Sequence, residues 1–170
     1  MRLHGTVANL RGGALRQLSA SKANGATRLQ FWITHLCCCA AGLVAAPSEL
    51  HHEDERVELS LLAPAAAIEC LADLLALYGE GLRRPLPLFP KSAWAFARQL
   101  LHKRDADGAL VKARAAFEDG FGHSGEGSNA YIARAFADAE AALGEEFAAL
   151  AGRVFAPLLA AEGKAWEPTA

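Results

Sequence analysis

Between residues 29 and 43 the apolar side chains Leu29, Trp32, Ile33, Leu36, Cys37, Ala40 and Leu43 recur at intervals of three and four. That spacing places them on one stripe of a helix, so the stretch predicts an α-helix with a single buried face. The residues ahead of it have a different period. "RLHGTVANL" and "ALRQLSASK" read as strands on either side of "RGG", whose glycines suit a hairpin turn. A hairpin feeding a one-faced helix points to an α+β fold, because each element has an apolar side that the other must cover.

The same logic extends along the chain. The first helix is expected to end between Gly42 and Pro47. "RVELSLLA" (56–63) alternates and predicts another strand, and Pro64 then stands at the first turn of a helix carrying Ile68, Leu71, Leu75, Tyr78 and Leu82. "RRPLPLFPKSAWAFARQLLH" is held extended by its prolines and becomes helical at Pro90. Further helices are expected over about 106–118, 129–138 and 144–161, with Pro157 kinking or restarting the last. At 170 residues, 52% of them apolar, the chain can bury a core as one domain spanning 1–170.

Composition excludes some classes of function. Residues 1–20 hold three arginines and no apolar block, so they do not read as a signal peptide, and no run is long enough for a membrane span. The chain reads as cytoplasmic. Cys37, Cys38 and Cys39 are consecutive on the predicted helix, where neighbours diverge by about 100°, so with Cys70 they suit neither a zinc site nor a disulfide framework. They are expected to pack as small apolar residues, with Cys38 exposed. No Gly-x-x-x-x-Gly-Lys-Ser/Thr loop occurs, so the chain carries no P-loop for ATP.

The net charge of −2 conceals segregation. Residues 1–50 hold five bases and one acid, 51–80 one base and seven acids, 81–115 eight bases and two acids, and 116–170 three bases and nine acids. If the fold unites the two basic blocks, they form a face suited to phosphate backbones. The alternative is a solvated mixed surface. Arg83, Arg84, Lys91 and Arg98 surround a predicted helix start, where backbone N–H groups and cations together favour phosphate; a solvated basic rim fits them equally.

Other candidates have plain structural readings. "HHEDE" (51–55) collects metal-binding side chains, but it is expected to be a solvated loop without fixed ligand geometry. His35 lies beside the core face of its helix and is expected to be a hydrogen-bonded structural histidine. Trp32, Trp94, Phe89 and Phe96 have faces that could stack bases, yet their helical spacing favours core packing. In "GEGSNAYIARAF" Gly125 and Gly127 allow a tight turn and Ser128 can cap the helix that follows.

Four segments taken together carry a family resemblance. "RLQFWITHLCCCAAG" (28–42), "YGEGLRRPLPLFPKSAWAFA" (78–97), "GEGSNAYIARAF" (125–136) and "FAPLLAA" (155–161), in this order, resemble the C-terminal module of RecC, the gamma subunit of exodeoxyribonuclease V, over nearly the whole chain. Ser128 and Asn129 stand where members of that family often have acids. RecC subunits are far longer, so the resemblance implies a piece of a larger subunit.

The resemblance also implies a fold similar to the PD-(D/E)XK nuclease core, a small mixed sheet flanked by helices with a helical C-terminal part. In working nucleases of that kind one strand carries an aspartate, the next an acid two residues before a lysine, and the following helix often begins with a glutamine. The acids hold a divalent metal that activates water, and the lysine supports the developing charge. Laid onto this chain, Ala8 and Ala20 replace the acids, while Lys22 and Gln30 remain. No Asp or Glu occurs from residue 1 to 48, so a shift of register cannot restore them. The resemblance therefore implies a degenerate nuclease site with no catalysis, no metal and no cofactor in this chain, within an ATP-dependent helicase-nuclease of DNA repair and recombination. Its implied partners are RecB, RecD and duplex or forked DNA, with Lys22, Arg83, Arg84, Lys91 and Arg98 as the DNA contacts. Two other readings stay open: a metal-dependent nuclease using His51, Glu53 and Glu58, and a helical interaction module without DNA binding.

Overall fold

The computed structural model describes residues 3–122 and 124–162. Its opening hairpin pairs β1 (Leu10–Arg11) with β2 (Ala14–Leu18), Leu10 opposite Leu15 and Arg11 opposite Ala14. The connecting Gly12 and Gly13 take φ of +58° and +74°. Two positive φ values make a type I′ turn, whose twist matches that of the strands and which glycine adopts without a Cβ penalty. The first strand is much shorter than its sequence pattern predicts. Asn9 sits at φ +67°, which takes the chain out of the extended region, and residues 3–9 form no strand. β2 stops at Leu18, and the hydroxyls of Ser19 and Ser21 then bond each other at 2.9 Å. Ala8 therefore precedes the sheet, and Ala20 and Lys22 follow β2 rather than lying in it.

The predicted helix is α1 (Gly25–Ala40), started by Asn24, whose side chain accepts from the N–H groups of Ala26 and Thr27. It ends at Gly42, φ +65°, where the Gly42 N–H bonds the Cys39 carbonyl and the Leu43 N–H the Cys38 carbonyl. This is a Schellman ending, which satisfies carbonyls the helix would leave orphaned. The chain then returns in β3 (Ser48–His51), parallel to β2, and turns into β4 (Arg56–Leu59), antiparallel to β3. The sheet is mixed, in order β1-β2-β3-β4, with α1 as the crossover between its two parallel strands. β3 has no counterpart among the predicted elements. "SELH" holds one large apolar residue, and the strand is fixed by pairing on both sides.

Pro64 opens α2 (Pro64–Gly81), and Pro90 opens α3 (Pro90–Lys103), both as their position predicts. α4 (Ala106–Phe117), α5 (Ala130–Ala135), α6 (Ala139–Ala142) and α7 (Glu145–Ala161) complete the chain. α5 is shorter than the expected 129–138, and its cap is Asn129 rather than Ser128, which sits in a 3-10 turn. α7 continues through Pro157 without restarting.

A single core joins Leu15, Leu50, Val57 and Leu59 of the sheet to Trp32 and Leu36 of α1 and to Phe147, Val154, Phe155 and Leu158 of α7. Burying each such side chain contributes roughly 1.5–3 kcal/mol. The phase of two helices differs from expectation. α1 buries Arg28, Phe31, Trp32, His35, Leu36, Cys38 and Cys39, and leaves Ile33 exposed. Cys38, expected at the surface, is fully buried. On α2 the buried residues are Ala67, Leu71 and Leu77, while Ile68 and Tyr78 are exposed. All four cysteines are free thiols, and no helix among the described residues is long and apolar enough to cross a membrane.

Candidate functional site

The degenerate site expected from the sequence falls where β2 leads into α1. Here residues 19–24 are tied to the turn between β3 and β4. The Ser19 N–H bonds the His51 carbonyl at 2.8 Å, His52 Nδ1 lies 3.0 Å from the Ser21 carbonyl, and the Ala23 N–H donates to Asp54 Oδ1 at 2.9 Å. That bond, helped by nearby His52 and Lys22, holds the Asp54 carboxyl below the usual carboxylate range. "HHEDE" is thus not a free loop: His51 closes β3, and His52–Glu55 form a tight turn closed by the His52 N–H to the Glu55 carbonyl at 2.8 Å. Two of its side chains reach backbone groups across the gap, Asp54 the Ala23 N–H and His52 the Ser21 carbonyl.

Behind the turn lies a residue that sequence reasoning missed. Arg28, 1% exposed, donates to Glu55 at 2.5 Å and to Glu162 at 2.6 Å, and its guanidinium lies 4.4 Å from the Trp94 ring centroid. One cation thus joins α1, the β3–β4 turn, α3 and the end of α7. Its Nε has no hydrogen-bond partner. The sequence signal was its position four residues ahead of Trp32 on the buried stripe.

Ala8, Ala20, Lys22 and Gln30 are all exposed. Lys22 stands two residues before the Asn24 cap and near Asp54, while Gln30 lies on the outer side of α1. The beginnings of α1 and α3 touch: a Cβ at Gly25 would fall 2.0 Å from the Pro90 carbonyl oxygen. The two basic blocks therefore touch through their backbones, at the beginnings of α1 and α3. Lys91 and Arg98, seven residues apart, share one exposed face of α3. Arg83 is exposed. Arg84 is exposed and engaged by Glu146 and Glu80, whose hydrogen bonds raise its pKa further.

The backbone donors expected to attract phosphate at the start of α3 are already used. Glu126 accepts from the Lys91 N–H at 3.0 Å, the Ser92 N–H at 2.7 Å and Ser92 Oγ at 2.8 Å. Its carboxylate caps a helix that has no side-chain cap of its own. The four aromatics considered for base stacking are buried: Trp32, Phe89, Trp94 and Phe96 all lie in the core. Of the alternative metal set, His51 bonds Glu49 and Glu58 bonds Arg56. Among the described residues no group of three or more His, Cys, Asp or Glu is placed to hold a metal.

His35 is fully buried, as a hydrogen-bonded structural histidine. Nε2 donates to the Ser60 carbonyl at 3.1 Å, which leaves Nδ1 to accept from Ser48 Oγ at 2.8 Å. Burial pushes its pKa below the ordinary value. The unfolded chain therefore takes up a proton near pH 6.5 that the folded chain does not, and stability is expected to fall as the pH drops from about 6.5 until the folded-state pKa is passed. Urea midpoints measured from pH 7.5 to 5 should show the decline, and His35→Gln should reduce its slope; an unchanged slope would remove His35 as its source.

The described fold defines a class: a small mixed-sheet α+β domain with a β-α-β crossover, and with Lys22 but no acid in the segment that links its first long strand to the crossover helix. Residues 1–101 match the family described as the RecC C-terminal domain, and the chain belongs to that family. The RecBCD enzyme subunit RecC of Mycolicibacterium smegmatis is 38% identical over 103 residues, covering 56% of this chain and 9% of that protein. The chain thus spans a small part of the length of this relative. The family match runs from the hairpin into α3, so the segments 125–136 and 155–161 lie outside it, a narrower span than the resemblance implied.

Proposed function

We infer that this chain is a non-catalytic, DNA-contacting module of a RecC-type gamma subunit, acting with RecB and RecD in the repair of DNA double-strand breaks by exodeoxyribonuclease V. Family membership supports the assignment to RecC. One observation carries the non-catalytic part: residues 1–48, which supply β1, β2 and α1, contain no carboxylate side chain. Ala8 and Ala20 offer methyl groups where a PD-(D/E)XK nuclease has acids, and a hard divalent cation cannot exchange its water shell for methyls. The hairpin, crossover helix and parallel third strand are compatible with that nuclease core. Exposed Lys22, Arg83, Lys91 and Arg98 supply the phosphate contacts.

The test is binding to labelled forked DNA across a salt series. Affinity is expected to fall with ionic strength, and Lys91→Ala combined with Arg98→Ala should lower the slope of log K against log salt by about 2. Salt-independent binding, or none, would favour an interaction module without DNA contact. Cleavage in manganese that Glu58→Ala abolishes would favour the metal-dependent nuclease.

A further inference from the structure

Beyond the DNA-facing side, α1 and α2 leave a stripe of apolar residues uncovered. Ile33, Cys37 and Ala40 follow one another at i, i+4 and i+7 on α1, and Ile68, Ala72 and Leu75 repeat that spacing on α2. Together with the irregular segment 3–7 they line an open groove of about 660 Å³. Ile33 is 40% exposed and Ile68 54%, and these are the residues whose periodicity predicts burial. A contiguous apolar surface of this kind marks a binding face rather than scattered surface residues. Two helices with the same i, i+4, i+7 ridge form the seat into which a third helix packs its own apolar stripe.

Charge defines the occupant. None of the described residues lining the groove is an Asp, Glu, Lys or Arg, so an uncharged face fits against them. The acids of α2 are Glu69, Asp73 and Glu80. Asp73 is held by Arg153 at 2.9 Å and Glu80 by Arg84. Glu69 is exposed and takes part in none of the ion pairs among the described residues. From these features we propose that the groove between α1 and α2 docks an amphipathic helix of another protein subunit, with an aliphatic stripe against Ile33 and Ile68 and a lysine or arginine beside Glu69. A second copy of this chain fits less well, because the one base on its own α1 and α2, Arg28, is buried and brings no cation to Glu69.

Two labelled model helices test the proposal, one with a leucine-alanine stripe flanked by lysines and one with the same stripe flanked by glutamates, titrated by fluorescence anisotropy against the whole chain. The lysine helix should bind saturably and about two- to fivefold more tightly than the glutamate helix, the size expected of one exposed ion pair. Glu69→Lys should reverse the order. Ile68→Glu and, independently, Ala72→Glu should weaken binding more than tenfold; both positions are at the surface, so folding survives, as circular dichroism would verify. Binding that ignores these two substitutions, no preference between the helices, or no binding would overturn the proposal. So would a dimer in light scattering that Ile68→Glu dissociates, since a second copy would then be the occupant.

Discussion

Arg28→Ala is expected to lower stability by about 3–5 kcal/mol, enough to unfold much of the population of a domain of this size. The substitution removes the guanidinium that joins Glu55 to Glu162, whose side chain is 3% exposed, and it empties the space above Trp94. The loss of the neighbour, more than of the pair's own attraction, sets the size of the effect. Arg28→Met, which refills the space above Trp94 without the charge, should recover part of the loss. Urea denaturation measures both. A loss below about 1 kcal/mol for the single variant would mean that the cation is hydrated in solution rather than enclosed.

Phe147→Ala should cost a similar amount, about 3–5 kcal/mol, as large-to-small changes in a well-packed core do. Phe147 is fully buried, with its ring centroid 5.5 Å from that of Phe96 in an edge-on contact and 6.2 Å from that of Phe89. It belongs to α7, beyond the residues that match the family. A large effect, read as a shift of the whole unfolding transition, would show that α7 and the matched segment melt as one unit. A small effect, or a separate transition, would show two independent units.

The hairpin and the starts of α2 and α3 were legible in the sequence because their causes are local. Two adjacent glycines specify the turn, and Pro64 and Pro90 each fix the first turn of a helix. β3 was not legible, because its four residues are strand only through Arg16–Glu49 pairing on one side and Ser48–Leu59 pairing on the other. The face of α1 was misjudged for a related reason. A periodicity count passes over Arg28, which is buried by a partner far away in sequence, Glu162, whereas His35, expected beside the core face, is the structural histidine that Ser48 and Ser60 hold. At the expected site, the absence of acids from residues 1–48 was visible in the residues themselves. The ties that pin residues 19–24 to the β3–β4 turn, and the carboxylate seated on α3, depend on tertiary contact and left no mark in the local pattern.

Glu126 has a consequence for how this domain can meet a polyanion. The mouth of α3 is stoppered by an internal negative group, so in the proposed DNA-contacting role an incoming strand would be repelled from the helix end and left to the flank bearing Lys91 and Arg98. Contacts of that sort are long, pliable and indifferent to base identity, which suits a surface over which DNA travels better than one on which it parks.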